Sequence, residues 1–121
     1  MAAMELGNAQ ERFADIVWAH EPIASGDLVE ICRKELNWKK PTTYTVLRML
    51  CEKGLLRNES SIVTSLISKE EYYSQKSARI VDDSYQSSLP AFIAAFTKKR
   101  AMKPEEVDEI QKMIDAFRKE Q

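Results

Sequence analysis

Apolar residues recur at helical spacing between Asn8 and Ala19, where Ala9, Phe13, Ile16 and Val17 share one side. Gly7 or Asn8 can cap this first helix, with Glu11 three residues after Asn8, and Pro22 ends it. A second stripe follows at Leu28, Ile31, Cys32 and Leu36. Ser25 opens it, with a hydroxyl able to accept from a free backbone N–H, and Asp27 in the first turn suits the helix dipole. Asn37 stops it. After Trp38-Lys39-Lys40, Pro41 stands where proline is favoured, at the first position of a third helix reaching Lys53. Gly54 can then take the left-handed conformation of a helix stop.

The period changes next. Leu55-Leu56-Arg57, a polar turn Asn58-Glu59-Ser60-Ser61 and the β-branched run Ile62-Val63-Thr64-Ser65-Leu66 predict a hairpin. Three short helices and then a hairpin is the order of a winged helix-turn-helix. Ser68-Lys69-Glu70-Glu71 fits a capping box and predicts a helix to about Gln86 that carries Tyr72, Ala78, Val81 and Tyr85. Ser88-Leu89-Pro90 starts a shorter one with Phe92, Ile93 and Phe96, closed by Lys98-Lys99-Arg100. Pro104-Glu105-Glu106 starts the last, with Val107, Ile110, Met113, Ile114 and Phe117. The expected fold is mainly α with a small β-hairpin. A winged helix-turn-helix head would occupy 1–67 and a helical tail 68–121.

Composition narrows the class. The chain has 121 residues, 44% apolar, enough for a core but without the run of roughly 18 apolar residues that a membrane-spanning helix needs. Met1 to Gln10 lacks the basic-then-apolar order of a secretory leader, so a cytoplasmic location is expected. Cys32 and Cys51 fall in apolar periodic segments and read as reduced thiols. His20, the one histidine, falls in a helix-ending turn, so no metal site and no cofactor are expected.

The net charge of −1 hides a strong asymmetry. Residues 1–32 hold one Arg against six acids, whereas 33–57 hold seven basic residues against Glu35 and Glu52. A basic block in an otherwise acidic chain implies either one local anionic partner or a solvated basic helix face.

At 100° per residue, Thr43, Val46, Leu47 and Leu50 of the third helix point one way. Pro41, Thr45, Arg48 and Glu52 point the other, flanked by Thr42, Tyr44 and Met49. In a helix-turn-helix the N-terminal part of this helix meets base edges. Thr42, Tyr44, Thr45 and Arg48 are therefore the base-reading candidates. Arg can donate two bonds to a guanine, and threonine methyls can meet a thymine methyl. Lys39 and Lys40, just before the helix, and Arg57 in the hairpin are placed for phosphates, which set register without reading sequence. Ser25 offers its hydroxyl and the N–H groups around it to another phosphate.

These residues carry a resemblance. The run from Leu6 to Trp18, ending Ile16-Val17-Trp18, then Ile23 to Val29, Trp38, Thr42, Thr45-Val46-Leu47, Leu50 and Lys53-Gly54-Leu55-Leu56 resembles the penicillinase-repressor family. That family takes in β-lactamase and methicillin-resistance repressors and copper-responsive relatives. The resemblance implies a homodimer held by the C-terminal helices, binding to a palindromic operator in double-stranded DNA, and repression of adjacent genes. In some relatives a membrane sensor protease triggers cleavage among those helices, in a region corresponding most nearly to Ala95-Phe96. The chain also departs from the pattern. Met49 stands where relatives usually carry Arg, the wing turn is acidic, and the wing's usual aromatic residues and the cysteine-rich tail of copper-responsive members are missing.

Short helices are marginal alone and need a face to bury. The tail could meet that need as a bundle, against its own head, or against a twofold mate. The expected mating residues are Tyr72, Val81, Tyr85, Leu89, Phe92, Ile93, Phe96, Ile110, Ile114 and Phe117. A competing function is a winged-helix module that binds protein, which the acidic wing turn favours. Catalysis finds no support: there is no Ser/His/Asp set, no phosphate-cradling glycine loop and no metal-ligand cluster.

Overall fold

In chain order the elements are α1 (Asn8–His20), β1 (Ile23–Ala24), α2 (Ser25–Leu36), α3 (Lys40–Glu52), β2 (Leu56–Glu59), β3 (Ile62–Ser65), α4 (Lys69–Ser84), α5 (Leu89–Lys99) and α6 (Pro104–Lys119). The computed structural model describes residues 4–121; residues 1–3, part of the stretch read above for a leader, lie outside the described residues.

The helix ends follow local chemistry. Gly7 caps α1, and its N–H donates to the Gln10 side chain at 3.1 Å. Glu11, expected to serve that cap, turns to α4 instead. Asn37 ends α2 in the left-handed region at φ 56°, its N–H on the Cys32 carbonyl. Gly54 takes φ 86° after α3. Ser68 and Ser88 each accept a backbone N–H at 3.1 Å, from Glu71 and Ala91, at the starts of α4 and α5. One cap differs from expectation. Ala24 is the N-cap of α2, and Ser25 is already its first helical residue, so the Ser25 hydroxyl does not cap.

The hairpin is tighter than the sequence suggests. Asn58 and Glu59 belong to β2, and only Ser60 and Ser61 turn the chain, at φ 51° and 64°. Positive φ at both central residues fits the right-handed twist of the flanking strands. Unforeseen from sequence, Ile23 and Ala24 pair with Val63 and Ile62. The sheet is antiparallel in the order β1-β3-β2, so the second hairpin strand is central.

Phe13 and Val17 of α1, Leu28 and Cys32 of α2, and Leu47 and Leu50 of α3 pack with Leu55, Leu56 and Val63 in one core. Each large apolar side chain buried there contributes about 1.5–3 kcal/mol. Trp38 stacks on Phe13 with ring centroids 5.8 Å apart. Burial pushes the Cys32 thiol up to about 11, so it stays protonated. Thr43, facing it from α3, is buried with a hydroxyl that lacks a hydrogen-bond partner of ordinary geometry.

The chain forms two compact units, 1–79 and 80–121. The first runs beyond residue 67 because the opening turns of α4 are bound to α1. Tyr72 donates to Glu11 at 2.7 Å, and Lys76 reaches the same oxygen at 2.7 Å. Tyr73 donates to Asp15 at 3.2 Å, and the Trp18 indole N–H donates to the Ile67 carbonyl at 3.0 Å. Tyr72, expected on the mating surface, is 1% exposed and packed on Trp18 and Tyr73. It is a core residue of the first unit and has no surface to offer a second chain.

In the second unit, Tyr85 meets Phe92 edge-on at 5.5 Å, and Phe92 tilts against Phe96. No residue from 80 to 121 is buried. Leu89, Ile93, Phe96, Ile110, Ile114 and Phe117 are all exposed, and Val81, Tyr85 and Phe92 are half-buried.

Two stability outcomes follow from the first unit. Burial pushes the Glu11 carboxyl up, but hydrogen bonds from Lys76 and Tyr72 and the charges of Lys76 and Arg79 outweigh it, and the group lies below its usual 4.5. A carboxyl with a lower pKa when folded stabilises above its unfolded value and loses that contribution as pH falls through its folded value. Glu11→Gln should therefore cost about 1–3 kcal/mol in urea unfolding at neutral pH. The gap to the parent protein should close as the pH drops below about 4.5. Thr43→Val, which at constant shape removes a hydroxyl whose one facing group is the weakly bonding Cys32 thiol, should leave stability unchanged or raise it by up to about 1 kcal/mol. A large loss in the same assay would show that the hydroxyl has a partner.

Candidate nucleic-acid interface

Leu47, Leu50 and Thr43 are buried, which turns the opposite side of α3 to solvent. Thr42, Thr45, Arg48 and Met49 are exposed there. The Thr45 hydroxyl donates to the Pro41 carbonyl at 2.9 Å. Its one proton is thus used within the helix, and its oxygen lone pair and methyl remain to face a partner.

The basic block separates into two groups. Arg33 is paired with Glu30 at 2.8 Å, Arg57 lies 3.8 Å from Glu59, and the Lys53 ammonium donates to the Glu5 carbonyl at 3.0 Å. Among the described residues, Lys34, Lys39, Lys40 and Arg48 make no ion pair. Lys39 and Lys40 sit at the N-terminus of α3, where the helix dipole and unbonded N–H groups already favour an anion. Arg57 lies on the outer face of the hairpin and its charge is partly offset by Glu59. The wing therefore offers little net positive charge.

Two candidates sit differently from expectation. Ser25 is 6% exposed; its N–H donates to the Ser61 carbonyl at 2.8 Å, and its hydroxyl accepts from Tyr44 at 3.2 Å. The expected phosphate contact through Ser25 is corrected accordingly, because its N–H is taken by Ser61 and its side chain is buried. Tyr44 is half-buried against the core, with its hydroxyl turned to Ser25. Its ring joins Leu47, Arg48, Cys51 and Asn58 in lining a shallow groove between α3 and β2. Burial raises the Cys51 thiol there. The sequence placed Glu59 and Ser61 in the wing turn but did not show that the Ser61 carbonyl accepts from Ser25. That contact depends on the tight two-residue turn, hidden because Ser-Ser lacks the usual Asn-Gly pattern. No helix among the described residues is long and apolar enough to cross a membrane.

Two helices whose second exposes a polar, basic-flanked face, followed by a hairpin paired to a third strand, define a winged helix-turn-helix protein. Residues 6–116 match the family model described as penicillinase repressor. The chain belongs to the penicillinase repressor family, a family of transcriptional repressors. The penicillinase repressor of Bacillus licheniformis is 21% identical over 115 residues, which cover 92% of this chain and 90% of that protein.

Proposed function

We propose that this protein represses transcription in the cytoplasm by binding a palindromic operator in double-stranded DNA as a homodimer. The observation that carries the reading is the outward face of α3, where Thr42, Thr45 and Arg48 stand together in solvent behind the unpaired Lys39 and Lys40. Arg48 suits a guanine edge, and the Thr42 and Thr45 methyls suit thymine. Lys39, Lys40 and, more weakly, Arg57 take phosphates.

The homodimer is supported by the second unit. Its two whole helices, α5 and α6, carry apolar stripes but bury nothing, and Val107, Ile110, Ile114 and Phe117 of α6 recur on one exposed face. A contiguous exposed apolar face on a soluble protein marks an interaction surface. A C2 mate supplies two reading heads for a twofold operator. Control by a sensor protease, as the resemblance implies, would cut within α5 at Ala95-Phe96 and so remove part of the mating surface.

A second reading, a winged-helix module that binds protein, draws on Glu59 at the wing and its pairing with Arg57. DNA titrations separate the two. A duplex recovered from a random pool should bind with a log–log salt slope near −7, if about eight phosphates are neutralised per dimer. Arg48→Ala should relax preference at one base pair per half-site, whereas Lys40→Ala should weaken all duplexes alike. A salt-independent titration would speak for the protein-binding module. In sedimentation, Ile114→Asp should turn the dimer into a monomer and lower operator affinity by about tenfold or more, since bivalent binding is lost. An unchanged sedimentation coefficient would place the mating surface elsewhere.

A further inference from the structure

A wing and a recognition helix can meet one duplex only if their mutual placement is fixed. In this chain both are tied to one residue. The Ser25 N–H donates to the carbonyl of Ser61, in the wing turn, at 2.8 Å. The Ser25 hydroxyl accepts from the Tyr44 hydroxyl, in α3, at 3.2 Å. Ser25 is itself the first residue of α2. A buried serine at the start of α2 thus holds the wing on its amide and the recognition helix on its side chain.

Tyr44 is well placed to control that helix. It lies between Thr42 and Thr45 in α3, and its ring packs on the core while Thr42 and Thr45 face solvent. The core beneath α3 is apolar and its contacts are directionless, so Leu47 and Leu50 set which side of the helix is buried but hold small rotations less firmly. A hydrogen bond is directional and supplies what the aliphatic contacts lack. Base reading tolerates displacements of only about 0.5 Å and rotations of about 10–20°. A phenol spent on Ser25 also has no second proton to donate to a base.

We propose that Tyr44 is a positioning residue: through Ser25 it sets the rotation of α3 against α2 and the wing, and so tunes sequence discrimination without reading a base itself. The proposal rests on the DNA-reading role of α3. It differs from a direct contact in a measurable way, because a positioning pair acts as a unit and a base contact acts alone.

The test uses the full chain and two probes, the duplex recovered by the wild-type protein from a random pool and a scrambled duplex of equal length. Tyr44→Phe keeps the ring, and Ser25→Ala keeps a good helix former, so circular dichroism and the melting temperature should confirm folded variants. Tyr44→Phe is expected to weaken the recovered duplex about threefold to tenfold and leave the scrambled one unchanged. Ser25→Ala should have the same effect, and the double variant should be no worse than either. The loss of preference should spread over the base pairs read by Thr42, Thr45 and Arg48. A change confined to one base pair, with Ser25→Ala silent, would overturn the proposal in favour of direct contact. So would unchanged discrimination in Tyr44→Phe while the wild-type protein discriminates. A wild-type protein that fails to distinguish the two duplexes would overturn the DNA reading itself and the proposal with it.

Discussion

Burial of Leu47 and Leu50 in the core shared with Phe13, Leu28 and Cys32 is the constraint on which the candidate surface depends. Those contacts decide which side of α3 stays wet. Everything assigned to that side is defined by opposition to them, including the exposure of Thr42, Thr45 and Arg48. Thr43 shows how strict the division is, since its hydroxyl has been drawn into the core, where it faces only the weakly bonding thiol of Cys32.

Much of this was legible in the sequence because its signals are local. The stripe Leu28, Ile31, Cys32 and Leu36, the stop at Asn37, the glycine at 54 and the serines at 68 and 88 each state their role within a few residues. The inward turn of Thr43 also follows from the helical period alone. The pairing of Ile23 and Ala24 with β3 did not, because a two-residue strand has no period and its partner lies some forty residues away. Nor did the fate of Tyr72, whose place on an apolar stripe is the same whether it meets α1 or a second chain. What decided it was Glu11, an acid on another helix that accepts its hydroxyl.

The site was legible in outline and blurred in detail for the same reason. Charge showed where positive residues concentrate, but not which of them are already spoken for. Glu30 takes Arg33, Glu59 takes Arg57, and the Glu5 carbonyl takes Lys53. What remains is Lys34 on α2 and a narrower patch at the start and centre of α3. In the tail, Leu89, Ile93 and Phe96 of α5 and Val107, Ile110, Ile114 and Phe117 of α6 stand in solvent.

The stacking of Trp38 on Phe13 and of Trp18 near Tyr72 has an optical consequence. The chain's two tryptophans both lie in the unit spanning 1–79, and the helices from 80 onward have none. Indole emission therefore reports the packing of the first unit, including the opening turns of α4 against Trp18. Helical ellipticity follows the helices of both units. The two spectroscopies, recorded on one sample, divide the molecule without any label.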